Sequence, residues 1–245
     1  MAKGLCAEGN GSARRANPVT AIYHQLAEQI FRNMAINRNL ISGVAFLAMA
    51  VAVTIFISLP EDGARRLSFR ERRVIARSDT VMRVLDIGIR EDSLILRQPS
   101  WDFVDSDLKS GDFAKLAIRM VRTVQDPRYD GVGLAAPQVG VNHRLVVVCR
   151  VDKEGEPFEF YPNIHIDSLY GEPVLGAEGC LSVPDKRGFV KRYPEIDISY
   201  RDLSSMAVVK EHVSGFAAVI FQHECDHLEG VVYTDRADSV FTDLR

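Results

Sequence analysis

Residues 223–227 read His223-Glu224-Cys225-Asp226-His227. Two His four residues apart share one face of a helix and can grip one metal ion, with the Glu beside them as proton carrier. Only 18 residues follow His227, and none is His or Cys, so a third ligand has to come from upstream. Phe216, Ile220, His223 and His227 follow the i, i+4, i+7, i+11 pattern of a helix face. Ser214 stands where it can cap this helix and Gly230 where it can end it. Cys225 lies about 200° around from His223 at about 100° per residue, so it is rejected as a ligand. A single His on such a face is more often a core histidine than a ligand; two at this spacing favour a metal.

Working upstream, Glu178-Gly179-Cys180-Leu181-Ser182 is the best source of the third ligand. Gly179 lets the backbone approach closely and Pro184 stiffens the exit. A thiolate with two imidazoles leaves one tetrahedral position open, the arrangement of a catalytic metal site. Further upstream, Gly131-Val-Gly-Leu-Ala-Ala-Pro-Gln138 lacks the spacing and the Lys-Ser/Thr ending of a phosphate loop. Its small residues let backbone lie against a ligand, and the Gln138 amide can donate to an oxyanion.

The chain has 245 residues, 47% hydrophobic and 26% charged, an ordinary globular composition. Residues 1–78 carry 11 Lys/Arg against 5 Asp/Glu, a net +6, and the remainder carries 19 against 28, a net −9. An acidic main domain argues against direct reading of nucleic acid. Cys6, Cys149, Cys180 and Cys225 are scattered without C-x-x-C spacing, which suits a reduced compartment better than a disulfide framework.

Four segments are expected: an N-terminal extension at 1–39, an apolar segment at 40–59, a basic linker at 60–78 and a catalytic domain at 79–245. Residues 40–59 contain no charge and are long enough to span a bilayer as a helix. Arg65, Arg66, Arg70, Arg72, Arg73 and Arg77 follow this run, whereas only Arg32 and Arg38 stand close before it. Positive charge marks the cytoplasmic side, so the expectation is a membrane-anchored, cytoplasm-facing domain. An organelle-targeting extension is the alternative. From residue 79 onward an α+β domain is expected. Its predicted parts are a helix over 113–125, a buried strand over Leu145–Val148, a half-buried strand over Ile196–Tyr200 and a short strand over Ala207–Val209. Six Pro between Pro127 and Pro184 predict many short strands and turns.

The three segments GVGLAAPQ (131–138), EGCLS (178–182) and HECDH (223–227) resemble the motifs GxGxAAxQ, EGCxS and HExDH of the peptide deformylase family. The resemblance covers about 165 residues, from Val81 to the end. It implies a deformylase-like α+β fold, with short antiparallel or mixed sheets packed around a C-terminal metal-binding helix. It implies hydrolytic removal of formyl from the N-terminal formyl-methionine of new polypeptides, with release of formate. Cys180, His223 and His227 would hold one metal ion, typically Fe(II), with Zn, Ni or Co as substitutes. Glu224 would carry the proton from the attacking water to the leaving amine, while Gln138 and the Leu181 N–H would hold the oxyanion. Val132 and Gly133 would align the peptide in an extended pose. Val132, Phe216, Val219 and Ile220 would form the methionine pocket, and Arg187 would contact the peptide backbone. Nascent formyl-methionyl chains are the implied partners, with the ribosome near its exit tunnel as a further one. The chain departs from the family at Pro162-Asn163, which stands where an Asn-Pro pair is common, so the path of residues 158–168 is left open. The rival readings are a zincin-like metallopeptidase and a non-catalytic, metal-stabilised binding domain.

Overall fold

The computed structural model describes residues 63–129 and 131–243. The extension 1–39 and the apolar segment 40–59 lie outside these residues. Among the described residues no helix is long and apolar enough to cross a membrane.

In chain order the elements are β1 (Ala64–Arg65), α1 (Phe69–Ala76), α2 (Arg90–Leu96), β2 (Asp102–Phe103), α3 (Asp105–Leu108) and α4 (Gly111–Val124). There follow β3 (Gly133–Ala135), a 3-10 turn (Ala136–Val139), β4 (Leu145–Cys149), β5 (Phe158–Pro162), β6 (His165–Tyr170) and β7 (Val174–Cys180). The last are β8 (Val183–Arg192), β9 (Glu195–Arg201), β10 (Val208–Ser214), α5 (Gly215–Leu228), a 3-10 turn (Tyr233–Asp235) and β11 (Ser239–Thr242). The strands form three antiparallel three-stranded sheets, in the orders β3-β4-β5, β10-β9-β6 and β11-β8-β7, and β1 pairs with β2 in parallel.

The reading of 60–78 as a linker is corrected. Its described part packs on the domain, with Leu67 and Ile75 buried in the same core as Phe113, Leu116 and Met120 of α4. Ser68 and Glu71 cap α1 reciprocally, a Ser-x-x-Glu signature that satisfies backbone donors at the helix start. Glu71 also accepts from the Asn142 N–H at 3.0 Å and contacts His143 Nδ1 at 3.2 Å, joining α1 to the loop before β4. Arg70 and Arg73 are exposed on this helix while Arg65 and Arg72 pair with Glu71 and Asp107, and a count of charge alone reads such a stretch as linker.

The predicted helix at 113–125 is α4, capped by Ser110, whose hydroxyl accepts from the Phe113 N–H at 3.2 Å. The apolar run from Leu145 is β4, buried at every residue and flanked by β3 and β5. The path left open at 158–168 is β5, a left-handed turn at Asn163 (φ 51°) and then β6. Asn tolerates that conformation, and its amide clamps Phe103, accepting from its N–H at 2.8 Å and donating to its carbonyl at 3.0 Å.

Helix α5 packs against β3 and β4 on one side and against β6, β9 and β10 on another. Its burial therefore differs from the one-faced pattern expected. Ala217, Ala218, Phe221, Cys225 and Leu228 enter a core shared with Val146, Ile196 and Ile198. The stripe through Phe216, Val219 and His223 is the side left toward open space, and Phe216 is exposed. A helix covered on several sides leaves only a narrow strip for function.

Candidate metal centre

The ligand atoms of Cys180, His223 and His227 all lie within 4.8 Å of one another. Cys180 ends β7, where the pairing with β8 shifts register between Gly179 and Cys180, and this turns the thiol toward α5. Its Sγ lies 3.2 Å from His227 Nε2. The Ser182 N–H and the Gln138 amide donate to the same sulfur at 3.4 and 3.6 Å. Glu178 Oε2 accepts from His223 Nδ1 at 2.8 Å, which fixes the tautomer and leaves Nε2 free to ligate.

Behind Glu178 runs a chain of charges. Arg192 donates to both Glu178 oxygens, at 2.7 and 3.0 Å, and to Asp226 at 2.6 Å. Arg236 grips Asp226 from the other side with two bonds of 2.7 Å. Burial works against the charge of Glu178, but hydrogen bonds from His223 and Arg192 outweigh it and hold the carboxyl down at about 2. Burial likewise opposes charge on His223, yet its contacts with Cys180 and Glu178 raise its pKa well above normal. Burial, then repulsion from His223 and Arg192, lowers that of His227. With one soft thiolate and two imidazoles, the donor set fits a metal.

Cys225 sits apart from this cluster. It is buried in the core beside Phe221, and burial pushes its thiol up to about 12. Its exclusion as a ligand agrees with its place on the opposite side of α5.

Glu224 faces the metal pocket and is 4% exposed. Burial pushes its carboxyl up to about 7, within the range where a proton carrier works at neutral pH. Gln138 is oriented by its own turn: the Ala135 N–H donates to Oε1 at 2.8 Å, which aims the amide NH2 at Cys180 and Ser182. A cleft of about 660 Å³ opens over these groups. Gln138, Leu181, Val132, Gly133, Arg187, Phe216, Val219, Ile220, His223 and Glu224 all line it with Cys180, so the expected site residues converge on one place, with His227 buried beneath. β3 is an edge strand of its sheet. The Cys149 N–H donates to the Val132 carbonyl at 2.8 Å, so by strand alternation the backbone groups of Gly133 face the open edge.

A family model described as polypeptide deformylase matches residues 84–242. The chain belongs to the polypeptide deformylase family. It is 39% identical over 167 residues to the peptide deformylase of Leptospira biflexa, a match covering 65% of this chain and 89% of that one. It is 42% identical over 127 residues to the peptide deformylase of Desulforudis audaxviator, covering 52% and 79%. The crystal structure of peptide deformylase from Thermotoga maritima superposes with a TM-score of 0.56 at 32% identity, covering 65% of this chain and 99% of that one. A class I type b peptide deformylase from Acinetobacter baumannii, bound to Met-Ala-Ser, gives a TM-score of 0.55 at 33% identity, covering 64% and 98%.

The deformylase family removes N-terminal formyl groups from nascent polypeptides, so this chain is a hydrolase of protein biosynthesis, and the family works with a catalytic metal. The metallopeptidase and non-catalytic readings are set aside by this assignment. The sequence reading passed over Glu178, Arg192, Asp226 and Ser182 as functional partners. Glu178 and Asp226 stand inside the two ligand motifs, and that adjacency was the available signal. Arg192 carries none, because its partners lie 14 and 34 residues away.

Proposed function

We propose that Cys180, His223 and His227 hold a single Fe(II) ion, with Zn, Ni or Co able to replace it, and that Glu224 moves the proton. The observation that carries this reading is the convergence of the three ligand atoms within 4.8 Å beside the buried Glu224. When bound, the ion supplies Lewis acidity, making a water nucleophilic at neutral pH and polarising the formyl carbonyl.

The remaining work belongs to the chain. The formyl-methionyl peptide adds to the open edge of β3, pairing with the Gly133 backbone, and Arg187 contacts its main chain from across the cleft. Val132, Phe216, Val219 and Ile220 receive the methionine side chain. Water attacks the formyl carbon while Glu224 takes its proton. The Gln138 amide and the Leu181 N–H donate to the oxygen as it gains charge. Glu224 then delivers the proton to the amine nitrogen, the C–N bond breaks and formate leaves. A formyl carbon carries only hydrogen beside its carbonyl, so a tight site admits it and excludes bulkier acyl groups.

For the rest of the chain, we propose that residues 40–59 anchor the domain on the cytoplasmic face of a membrane, where it meets nascent chains near the ribosomal exit tunnel. The uncharged run and the Arg excess that follows it support this. Retention of the full chain in membranes after a carbonate wash is the expected result, and release into the soluble fraction would sink the anchor.

The catalytic reading is tested by formate release from formyl-Met-Ala-Ser with the full chain, reduced and Fe(II)-loaded. Turnover is expected, with Glu224→Ala slower by about 10²–10⁴-fold, the usual worth of a positioned acid–base group. An inactive wild type with metal bound, or a Glu224→Ala variant at full rate, would overturn it.

A further inference from the structure

The two glycines of the 131–138 loop serve different ends. A Cβ on Gly131 would meet the Val124 Cγ2 at 3.0 Å and the Leu181 Cδ1 at 3.1 Å, the tips of apolar side chains. A Cβ on Gly133 would lie 2.4 Å from Glu224 Oε1 and 2.8 Å from both its Cδ and its Cγ. The φ of Gly133 is outside the left-handed region, so its backbone accepts any residue. Only the volume of a side chain is refused.

We propose that Gly133 is a positioning residue for Glu224: the space left by its missing side chain is the seat of the Glu224 carboxylate. This deepens the reading of Glu224 as the proton carrier and rests on it. Both walls of the seat are rigid. Gly133 is paired to Val148 in a buried strand, and Glu224 springs from a helix packed on several sides. Between them the carboxylate is held by packing, since its Oε2 has no hydrogen-bond partner among the described residues. A methyl group at 133 overlaps Cγ as well as the carboxylate, so the whole Glu224 side chain has to change rotamer rather than tilt at its tip. The cleft beside it offers somewhere to go. The displacement is therefore tolerable for the fold and harmful for proton transfer, which requires hydrogen-bond reach. The Gly133 N–H and carbonyl, which face the peptide edge, are the same in alanine, so peptide binding persists.

The test uses the full chain as wild type, Gly133→Ala, Glu224→Asp, Glu224→Ala and the Gly133→Ala/Glu224→Asp double variant. Metal per chain, melting temperature, calorimetric binding of the product Met-Ala-Ser, kcat and KM are read for each. Gly133→Ala is expected to keep its metal, to bind Met-Ala-Ser within about threefold, and to lose kcat about 100-fold, a typical loss for a displaced acid–base group. Aspartate is one methylene shorter and retreats from the added methyl, so Gly133→Ala should cost less in the Glu224→Asp background, a non-additivity expected of residues in contact. The inference is overturned if Gly133→Ala keeps its kcat, if its loss appears in KM and peptide binding, if the two penalties multiply independently, or if it fails to fold or to hold metal. A Glu224→Ala variant at full rate instead overturns the acid–base reading beneath it. An inactive Glu224→Ala beside a fully active Gly133→Ala removes this inference alone.

Discussion

Two arginines, Arg192 on β8 and Arg150 just after β4, are both buried among carboxylates, at 5% and 2% exposure, yet their surroundings diverge. Arg150 donates to Asp152 at 2.8 and 2.6 Å, to Glu211 at 2.7 Å and to the Tyr161 hydroxyl at 2.5 Å. Its guanidinium also lies over the rings of Tyr161 and Phe221, at 5.9 and 5.7 Å from their centroids. The Asp152 and Glu211 side chains keep 30% and 24% of their surface in solvent. The partners of Arg192 do not: Glu178 and Asp226 keep 6% and 10%. Glu178, moreover, continues to His223. One network keeps its carboxylates partly in solvent; the other ends on His223 of the candidate metal centre. Buried ion pairs are weak evidence for stability in themselves, so what their far ends touch decides what they are for.

This contrast can be broken by experiment. The largest effect is expected for Arg192→Met, which leaves two enclosed carboxylates short of a partner, Glu178 with His223 and Asp226 with Arg236. It should cost about 3–5 kcal/mol in denaturant unfolding, the usual result of removing one partner of a buried pair. Loss of the support behind His223 should also weaken metal binding about 10–100-fold, measured by competition with a chelator. Unchanged metal affinity in a folded Arg192→Met protein would show that the chain to His223 does no work. Arg150→Met should cost less, about 1–3 kcal/mol, because its carboxylates can turn to water. Metal affinity and kcat should stay at wild-type values, and a fall in either would erase the distinction between the two networks. The smallest effect belongs to Cys225→Ala, at about 1 kcal/mol for a small core truncation. Metal content should remain one ion per chain; its loss would make Cys225 a ligand after all.

Much of the site was legible because its chemistry is local. The His223/His227 spacing, the Gly beside Cys180 and the small residues before Gln138 each declare themselves within a few positions. Helix α4 and strands β4, β9 and β10 were readable from periodicity for the same reason. Other features needed a partner elsewhere in the chain. Residues 68–71 contain a readable capping box, but the density of Arg around it disguised a packed helix as a linker. The stripe of α5 through Phe216 and His223 looked like its buried face, because a sequence shows that a helix has an apolar side and not how many sides will be covered. Here the sheets cover most of it: Ile220 and His227 of that stripe are buried, while Phe216 is exposed and lines the cleft with His223.

The sequence by itself determined the family and offered the candidate donor set and the candidate proton carrier, since ligand type and helical spacing are properties of neighbouring residues. The tertiary structure alone decided which charges stand behind His223, which side of α5 meets the cleft, and that a side chain at 133 would meet Glu224. Those are questions of what fills the space next to an atom. Residues from distant parts of the chain fill it only once the backbone has closed around them.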